Sequence, residues 1–104
     1  MLFVVEYEFG WDDLDSAVAK RLEWADAQPD DFHFVGEYVW QDADPPFRGV
    51  IVVEVGSVES LNALALHYGP TLKMRVHPAS DVMAGISQLG AGASPAPRSM
   101  GKKR

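Results

Sequence analysis

Reactive side chains concentrate in one stretch of the sequence, "LALHYGPTLKMRVHP", which runs from Leu64 to Pro78. His67 is the side chain of greatest chemical interest there, because an imidazole exchanges a proton near neutral pH. The phenol of the adjacent Tyr68 can hold a substrate oxygen by donating a hydrogen bond. We therefore take His67 and Tyr68 as candidate catalytic residues. The alternative is structural: a histidine in the last turn of a helix binds free carbonyl groups, and Tyr68 packs in the core.

The same stretch divides at Gly69-Pro70, a pair that typically ends a helix. The residues before it repeat at helical spacing, and those after it alternate as in a strand. Basic side chains share one face of that strand: Lys73, Arg75 and His77. Glu6 and Glu8 share one face of the first strand, so we expect cross-strand ion pairs between the two strands. As an alternative, Arg75 binds an anionic ligand.

Aromatic residues form the second group of candidates. Trp24, Tyr38 and Trp40 could line an apolar cavity of the kind that binds a small aromatic ligand. Together with Arg75 they are the candidate ligand-binding residues. The alternative is that they pack in the core or at an interface between subunits, where aromatic residues are also common.

Other kinds of site find no support in the sequence. The three histidines lack the spacing of a metal site, and the chain has no cysteine, which excludes disulfides and thiolate ligands. No glycine-rich phosphate loop follows a strand, and no serine stands in a nucleophile elbow. We therefore predict no bound metal and no cofactor.

Charge and hydropathy limit the partners. The formal net charge is −6, but residues 1–90 hold all fifteen acidic side chains and only five basic ones, a net charge of −10. An acidic body disfavours nucleic acid, whose phosphates need a basic surface. No apolar run is long enough to span a membrane, and "MLFVVEYEF" lacks the basic leader of a signal peptide. These features favour a cytoplasmic protein.

The periodicities predict four strands and two main helices in the order β-α-β-β-α-β. In the first helix, an apolar stripe is expected to face the core: Leu14, Ala17, Val18, Leu22 and Ala25. In the second strand, one face is expected to carry alternate residues: Phe34, Gly36, Tyr38 and Trp40. After Pro78 we expect a short helix with Ser80 or Asp81 as its cap. From Gly90 the composition is typical of a flexible tail, basic over its last seven residues.

This order is that of an α+β, ferredoxin-like fold: a four-stranded antiparallel sheet with both helices on one face. We assign residues 1–89 to this domain and residues 90–104 to the tail. One chain has no element left to cover the other face of the sheet. A homodimer that packs sheet against sheet, as a dimeric α+β barrel, would cover it.

Four segments within residues 1–89 resemble the dimeric α+β barrel superfamily: "MLFVVEYEF", "FVGEYVW", "VIVVEVGSVESLNALALHYG" and "LKMRVHP". The chain is most similar to a small bacterial family of uncharacterised domains within it, which implies a fold and no activity. The wider superfamily includes cofactor-free monooxygenases of aromatic polyketides, lactone isomerases and haem-degrading monooxygenases. The haem degraders use an Asn on the first strand, where this chain has Glu6, Tyr7 and Glu8, so their residue roles are not transferred.

Two hypotheses for function follow. In the first, the protein is a dimeric small-molecule-binding or structural domain. In the second, it is a cofactor-independent monooxygenase or isomerase of an aromatic or polyketide-like substrate, with His67 as the proton shuttle and Tyr68 or Tyr38 as hydrogen-bond donor. The direction of the His67 ring distinguishes them.

Overall fold

The computed structural model describes residues 1–92, and the chain follows the predicted order of strands and helices. The strands are β1 Leu2–Phe9, β2 Phe32–Gln41, β3 Phe47–Val55 and β4 Lys73–Ala79. The helices are α1 Leu14–Ala27, α2 Val58–Tyr68 and α3 Val82–Gly92. Short 3₁₀ turns precede α1 and follow α2, at Trp11–Asp13 and Gly69–Thr71.

The four strands form one antiparallel sheet in the order β2-β3-β1-β4. As predicted, β1 and β3 are central, and α1 and α2 pack on one face. We call this the inner face of the sheet, and the opposite one the outer face. The ferredoxin-like α+β fold is therefore confirmed.

The core lies between the helices and the inner face of the sheet. Trp24 of α1, Phe32 of β2 and Leu64 of α2 are almost fully buried there, against Val53 and Val55 of β3. The rings of Trp24 and Phe32 meet edge to face, with centroids 5.0 Å apart. Burial of such large apolar side chains is the main stabilising contribution in a domain of this size.

Local sequence signals set the helix boundaries. The Ser57 hydroxyl accepts a hydrogen bond from the Ser60 amide and caps α2, and Asp81 accepts from two amides at the start of α3. Gly69 ends α2 with a φ of +56°, a conformation that glycine adopts without steric cost. The predicted Asp81 cap and the predicted stop at Gly69 are both confirmed.

A β-bulge in β2 overturns the predicted alternation of that strand. Phe34 pairs with Val53, but the next paired residue, Gly36, is opposite Val52, so Val35 is an extra residue. Beyond the bulge the inner face carries Glu37 and Val39, while Tyr38 and Trp40 pair with outer-face residues of β3. The unbroken alternation predicted that Tyr38 and Trp40 share the face of Phe34. This prediction is wrong, because both residues lie opposite outer-face residues of β3.

The predicted stripe of α1 is also partly wrong. The helix buries Ala17 and Trp24, whereas Val18 is 52% exposed and Leu22 70% exposed. The wide indole of Trp24 takes the core position and turns the side of α1 that bears Val18 and Leu22 toward open space. That space is the cavity described below.

The C-terminal segment begins as predicted with a short helix. Helix α3 continues to Gly92, so residues 90–92 are helical, beyond the point where we expected the tail to begin. The rest of the predicted basic tail, residues 93–104, lies outside the described residues. Within residues 1–92, no helix is both long and apolar enough to cross a lipid bilayer.

Candidate functional site

An open cavity of about 640 Å³ lies between the two helices and the inner face, and core residues such as Leu64 and Tyr68 form part of its wall. Its walls come from α1, α2 and all four strands. Most of the lining is apolar, and it includes the residues that α1 leaves exposed. The lining residues include Tyr7, Val18, Arg21, Glu37 and Tyr68.

The floor of the cavity is a row of nearly parallel aromatic rings. The rings of Tyr7 and Phe9 lie 9° from parallel with centroids 6.2 Å apart, and those of Phe9 and Phe47 lie 12° from parallel at 4.9 Å. Trp11 meets Phe47 edge to face at 4.8 Å. Alternate residues of β1 and the first residue of β3 supply the three stacked rings of Tyr7, Phe9 and Phe47. Such a surface suits a flat apolar ligand.

A polar cluster interrupts the apolar wall. The Arg21 guanidinium on α1 donates two hydrogen bonds to the Glu37 carboxylate on β2, Nε to Oε2 at 2.6 Å and Nη2 to Oε1 at 3.0 Å. Its Cζ also lies 4.6 Å from the centroid of the Phe34 ring. This paired geometry fixes the guanidinium in place, and the bonds to Glu37 raise the pKa of Arg21.

The charges of Arg21 and Glu37 act on two tyrosines of the cavity. Burial raises the pKa of Tyr7, and the Glu37 carboxylate raises it further. Burial likewise raises the pKa of Tyr68 to about 12, although the positive charge of Arg21 acts the other way. Both phenols therefore keep their protons at neutral pH and can donate a hydrogen bond to a ligand oxygen.

Tyr68 makes the stability of the protein sensitive to alkaline pH. The folded state holds the phenolic proton more tightly than the unfolded chain, whose tyrosine has a pKa of 10.0. The stabilising effect is therefore complete below pH 10 and is lost as the pH rises toward 12. At 1.36 kcal/mol per pKa unit, we expect the free energy of unfolding to fall by about 2 to 3 kcal/mol over this interval.

Urea titrations on both sides of that interval test the prediction. Tyr68→Phe should remove this part of the alkaline loss, whereas Tyr38→Phe, at an exposed position, should retain it. An equal alkaline loss in wild type and Tyr68→Phe would contradict the assignment.

Of the predicted catalytic pair, Tyr68 lies in the cavity lining and is 6% exposed. His67 lies outside the lining and contacts α1 instead. Its Nε2 is 2.7 Å from the Lys20 carbonyl oxygen, and its ring packs 5.2 Å from that of Trp24. The imidazole thus joins α2 to α1 by binding a backbone carbonyl group, which is close to the structural role expected for a histidine at a helix end. His67 and Tyr68 therefore do not converge on one point of the cavity.

The predicted ligand-binding residues are dispersed. Trp24 lies in the core and Tyr38 at the margin of the cavity, where it is exposed. Trp40 and Arg75 lie on the outer face, around a second, smaller depression of about 340 Å³. The bulge at Val35 explains the position of Trp40, since it exchanges the faces of the distal half of β2.

The expected cross-strand ion pair is confirmed on the outer face for Glu8 and Lys73, whereas Glu6 lies close to His77. Glu8 pairs with Lys73 and Glu6 with Arg75 in the β1–β4 register. Glu8 lies 4.0 Å from the Lys73 ammonium and 3.6 Å from the Arg48 guanidinium. His77 Nε2 is 3.6 Å from a Glu6 oxygen. Exposed pairs of this kind stabilise a fold by less than about 1 kcal/mol each.

Sequence reasoning missed three residues of the polar cluster: Tyr7, Arg21 and Glu37. Arg21 carried a signal, because it is one of only two basic residues in the first helix. Its partner did not, because the inward direction of Glu37 depends on the bulge. Tyr7 alternates with Glu6 and Glu8 on β1, but nothing in that strand indicated that a cavity lies above it.

No metal site is formed by the described residues: residues 1–92 bring no three histidine or acidic side chains together. The titratable side chains that line the cavity within this range are three tyrosines, Arg21 and Glu37. This set can orient a polar group of a ligand by hydrogen bonds and charge.

Two of the solved structures that are similar to this chain are the following. One, from Deinococcus radiodurans and assigned to the antibiotic biosynthesis monooxygenases, is 12% identical, with a TM-score of 0.43; the match covers 79% of this chain and 95% of that one. The other, the cofactor-independent oxygenase SnoaB from Streptomyces nogalater, is 17% identical, with a TM-score of 0.44 and coverage of 79% and 94%. No curated protein matches the chain. Residues 1–93 match a family model described as a domain of unknown function, DUF3303, and the chain belongs to that family.

Proposed function

We propose that the protein binds a small, flat, largely apolar molecule in the cavity between the helices and the inner face. The observation that carries this proposal is the combination of an aromatic floor with one fixed polar cluster. A cavity of about 640 Å³ falls within the size range of small-molecule sites. Sites of that class typically pair an apolar lining with a few well-placed polar groups, as here.

The polar cluster defines one end of the ligand. Tyr7 and Tyr68 offer phenolic donors, and Arg21 is held by Glu37, so an oxygen of the ligand is the group best matched to this wall. The row of rings formed by Tyr7, Phe9 and Phe47 then contacts its apolar part. The ligand class is accordingly an aromatic molecule with a hydroxyl, carbonyl or carboxylate at one end.

Binding without chemistry is the favoured function. The enzymatic alternative, a monooxygenase or isomerase, required His67 as a proton shuttle in this cavity. In the described residues the imidazole instead contacts the Lys20 carbonyl oxygen. Tyr68 with a pKa of about 12 is a poor base at neutral pH. The cavity is thus better equipped to hold an aromatic molecule than to move its protons.

A thermal-shift titration tests the binding proposal. The wild-type protein is titrated with 2-naphthol, 2-naphthoic acid and 1,4-naphthoquinone, which share a flat ring system and differ in the oxygen group. A ligand at 100 times its Kd stabilises the native state by about 2.7 kcal/mol, which raises Tm by about ten degrees or more in a domain of this size. No shift with any of the three would count against the proposal.

Two neighbouring positions of α1 give a matched pair of variants. Val18 lines the cavity, whereas Ala19 is exposed and outside the lining. We expect Val18→Trp to fill the cavity and to weaken binding about tenfold or more, a loss of about 1.4 kcal/mol. Ala19→Trp should bind as wild type does. Equal affinities in the two variants would place the ligand elsewhere.

We also infer that a second copy of the chain covers the outer face. The central row of that face is mostly apolar: Gly36, Val52, Val4 and His77. The rows beside it carry charges of both signs, contributed by Glu6, Glu8, Arg48, Lys73 and Arg75, so two such faces can pair opposite charges. Helix α3, which follows β4 in the chain, also exposes apolar side chains that a second copy could cover: Val82, Met83, Ile86 and Leu89. A cytoplasmic homodimer is the assembly that we propose.

A further inference from the structure

The Tyr7 ring can extend across β3 because the residue opposite it on that strand is Gly49. The two residues form a cross-strand pair, and the Tyr7 ring extends over the Gly49 backbone. A methyl group built on Gly49 would overlap the ring carbon Cζ and the hydroxyl oxygen of Tyr7. No larger residue than glycine fits at this position while the ring stays where it is.

The surroundings of Tyr7 leave its ring one direction in which to move. Phe9 stacks beside it on β1, and Met74 occupies the neighbouring position on β4. The sheet backbone lies beneath. The open space next to the ring is the cavity, whose lining includes Tyr7.

We propose that Gly49 is a positioning residue that keeps the cavity open: any side chain at position 49 turns the Tyr7 ring upward into the space that the ligand needs. This inference rests on the proposed function, and it makes Gly49 the residue that sets the depth of the site. The Tyr7 ring keeps its present position only while residue 49 lacks a side chain.

The inference predicts that Gly49→Ala changes the affinity for a ligand much more than it changes the stability of the fold. The displaced ring enters a cavity instead of a packed core, and alanine suits a strand better than glycine does. Gly49→Ala should therefore change Tm by no more than a few degrees, while it weakens the binding of 2-naphthol about tenfold or more. A glycine important only for folding would lower Tm and leave the affinity of the folded protein unchanged.

The experiment is a double-mutant cycle with 2-naphthol as the probe. Affinities are measured by isothermal titration for wild type, Gly49→Ala, Tyr7→Leu and the double variant. If Gly49 acts through the Tyr7 ring, Gly49→Ala has no effect on affinity in the Tyr7→Leu background. The control is Gly85→Ala in α3, where an added methyl group meets no atom within 4 Å.

A crystal structure of Gly49→Ala provides a second readout that needs no ligand. The expected result is a Tyr7 ring turned into the cavity. A ring that stays on the sheet while the strands move apart would overturn the inference, as would a full loss of affinity in both backgrounds. If the wild type does not bind 2-naphthol, the result counts against the proposed function. The position of the Tyr7 ring in the Gly49→Ala crystal structure would still show whether residue 49 controls that ring.

Discussion

Replacement of Trp24 by alanine should lower the free energy of unfolding by about 3 to 5 kcal/mol, the range for deletion of a buried aromatic side chain. Trp24 is 1% exposed and contacts Phe32 and His67 through its ring. Since small domains are stabilised by about 5 to 15 kcal/mol in total, this loss is a large part of the whole. Urea denaturation followed by circular dichroism measures it.

Trp24→Phe is the matched control. Phenylalanine retains much of the packing, and the indole Nε1 has no hydrogen-bond partner within residues 1–92, so no hydrogen bond is lost. We expect a loss below about 2 kcal/mol, because the change keeps an aromatic ring in the core. The folded Trp24→Phe protein should bind 2-naphthol as wild type does. Weaker binding would restore Trp24 as a ligand residue, the role first considered for it.

Val52→Glu should convert the proposed dimer into a monomer. Val52 lies on β3 in the central row of the outer face, between Gly36 and Val4. A carboxylate placed in the middle of an apolar interface loses its hydration without gaining a partner, which costs several kcal/mol in association. The side chain points away from the core, so the monomer should remain folded.

Light scattering after size-exclusion chromatography measures this effect as a fall from two chain masses to one. Val58→Glu is the control. Val58 is 50% exposed and begins α2, which packs on the inner face, so it lies away from the proposed interface. An acidic residue there suits the helix N-terminus. A wild-type protein that is already monomeric at micromolar concentration would contradict the dimer.

The sequence was sufficient to predict the order of elements, the central position of β1 and β3, and the β1–β4 charge pairing. Those features follow from repeated patterns: alternation in strands, helical spacing in α2, and the stop at Gly69. Each pattern involves several residues, so no single irregularity changes the result. The helix caps at Ser57 and Asp81 were equally local, and for that reason equally predictable.

The site was less predictable because it depends on single residues and on space that is left unfilled. The extra residue Val35 moves Tyr38 and Trp40 to the outer face and brings Glu37 inward. The apolar side of α1 at Val18 and Leu22 was interpreted as core, since a sequence does not distinguish an apolar side chain that packs from one that borders a cavity. His67 was correctly placed at the end of α2, but its contact with Lys20 depends on how the two helices cross.

The bulge at Val35 also affects how this chain should be compared with its relatives. A family member whose β2 pairs without interruption needs one residue fewer there, and a correct alignment opens a gap at Val35. An alignment without that gap would match Glu37 with a position of the opposite face and assign the polar partner of Arg21 to the wrong column. A deletion of either Val35 or Gly36 is thus expected to remove the bulge and preserve the site, whereas a deletion of a later residue of β2 would exchange its two faces from that point on.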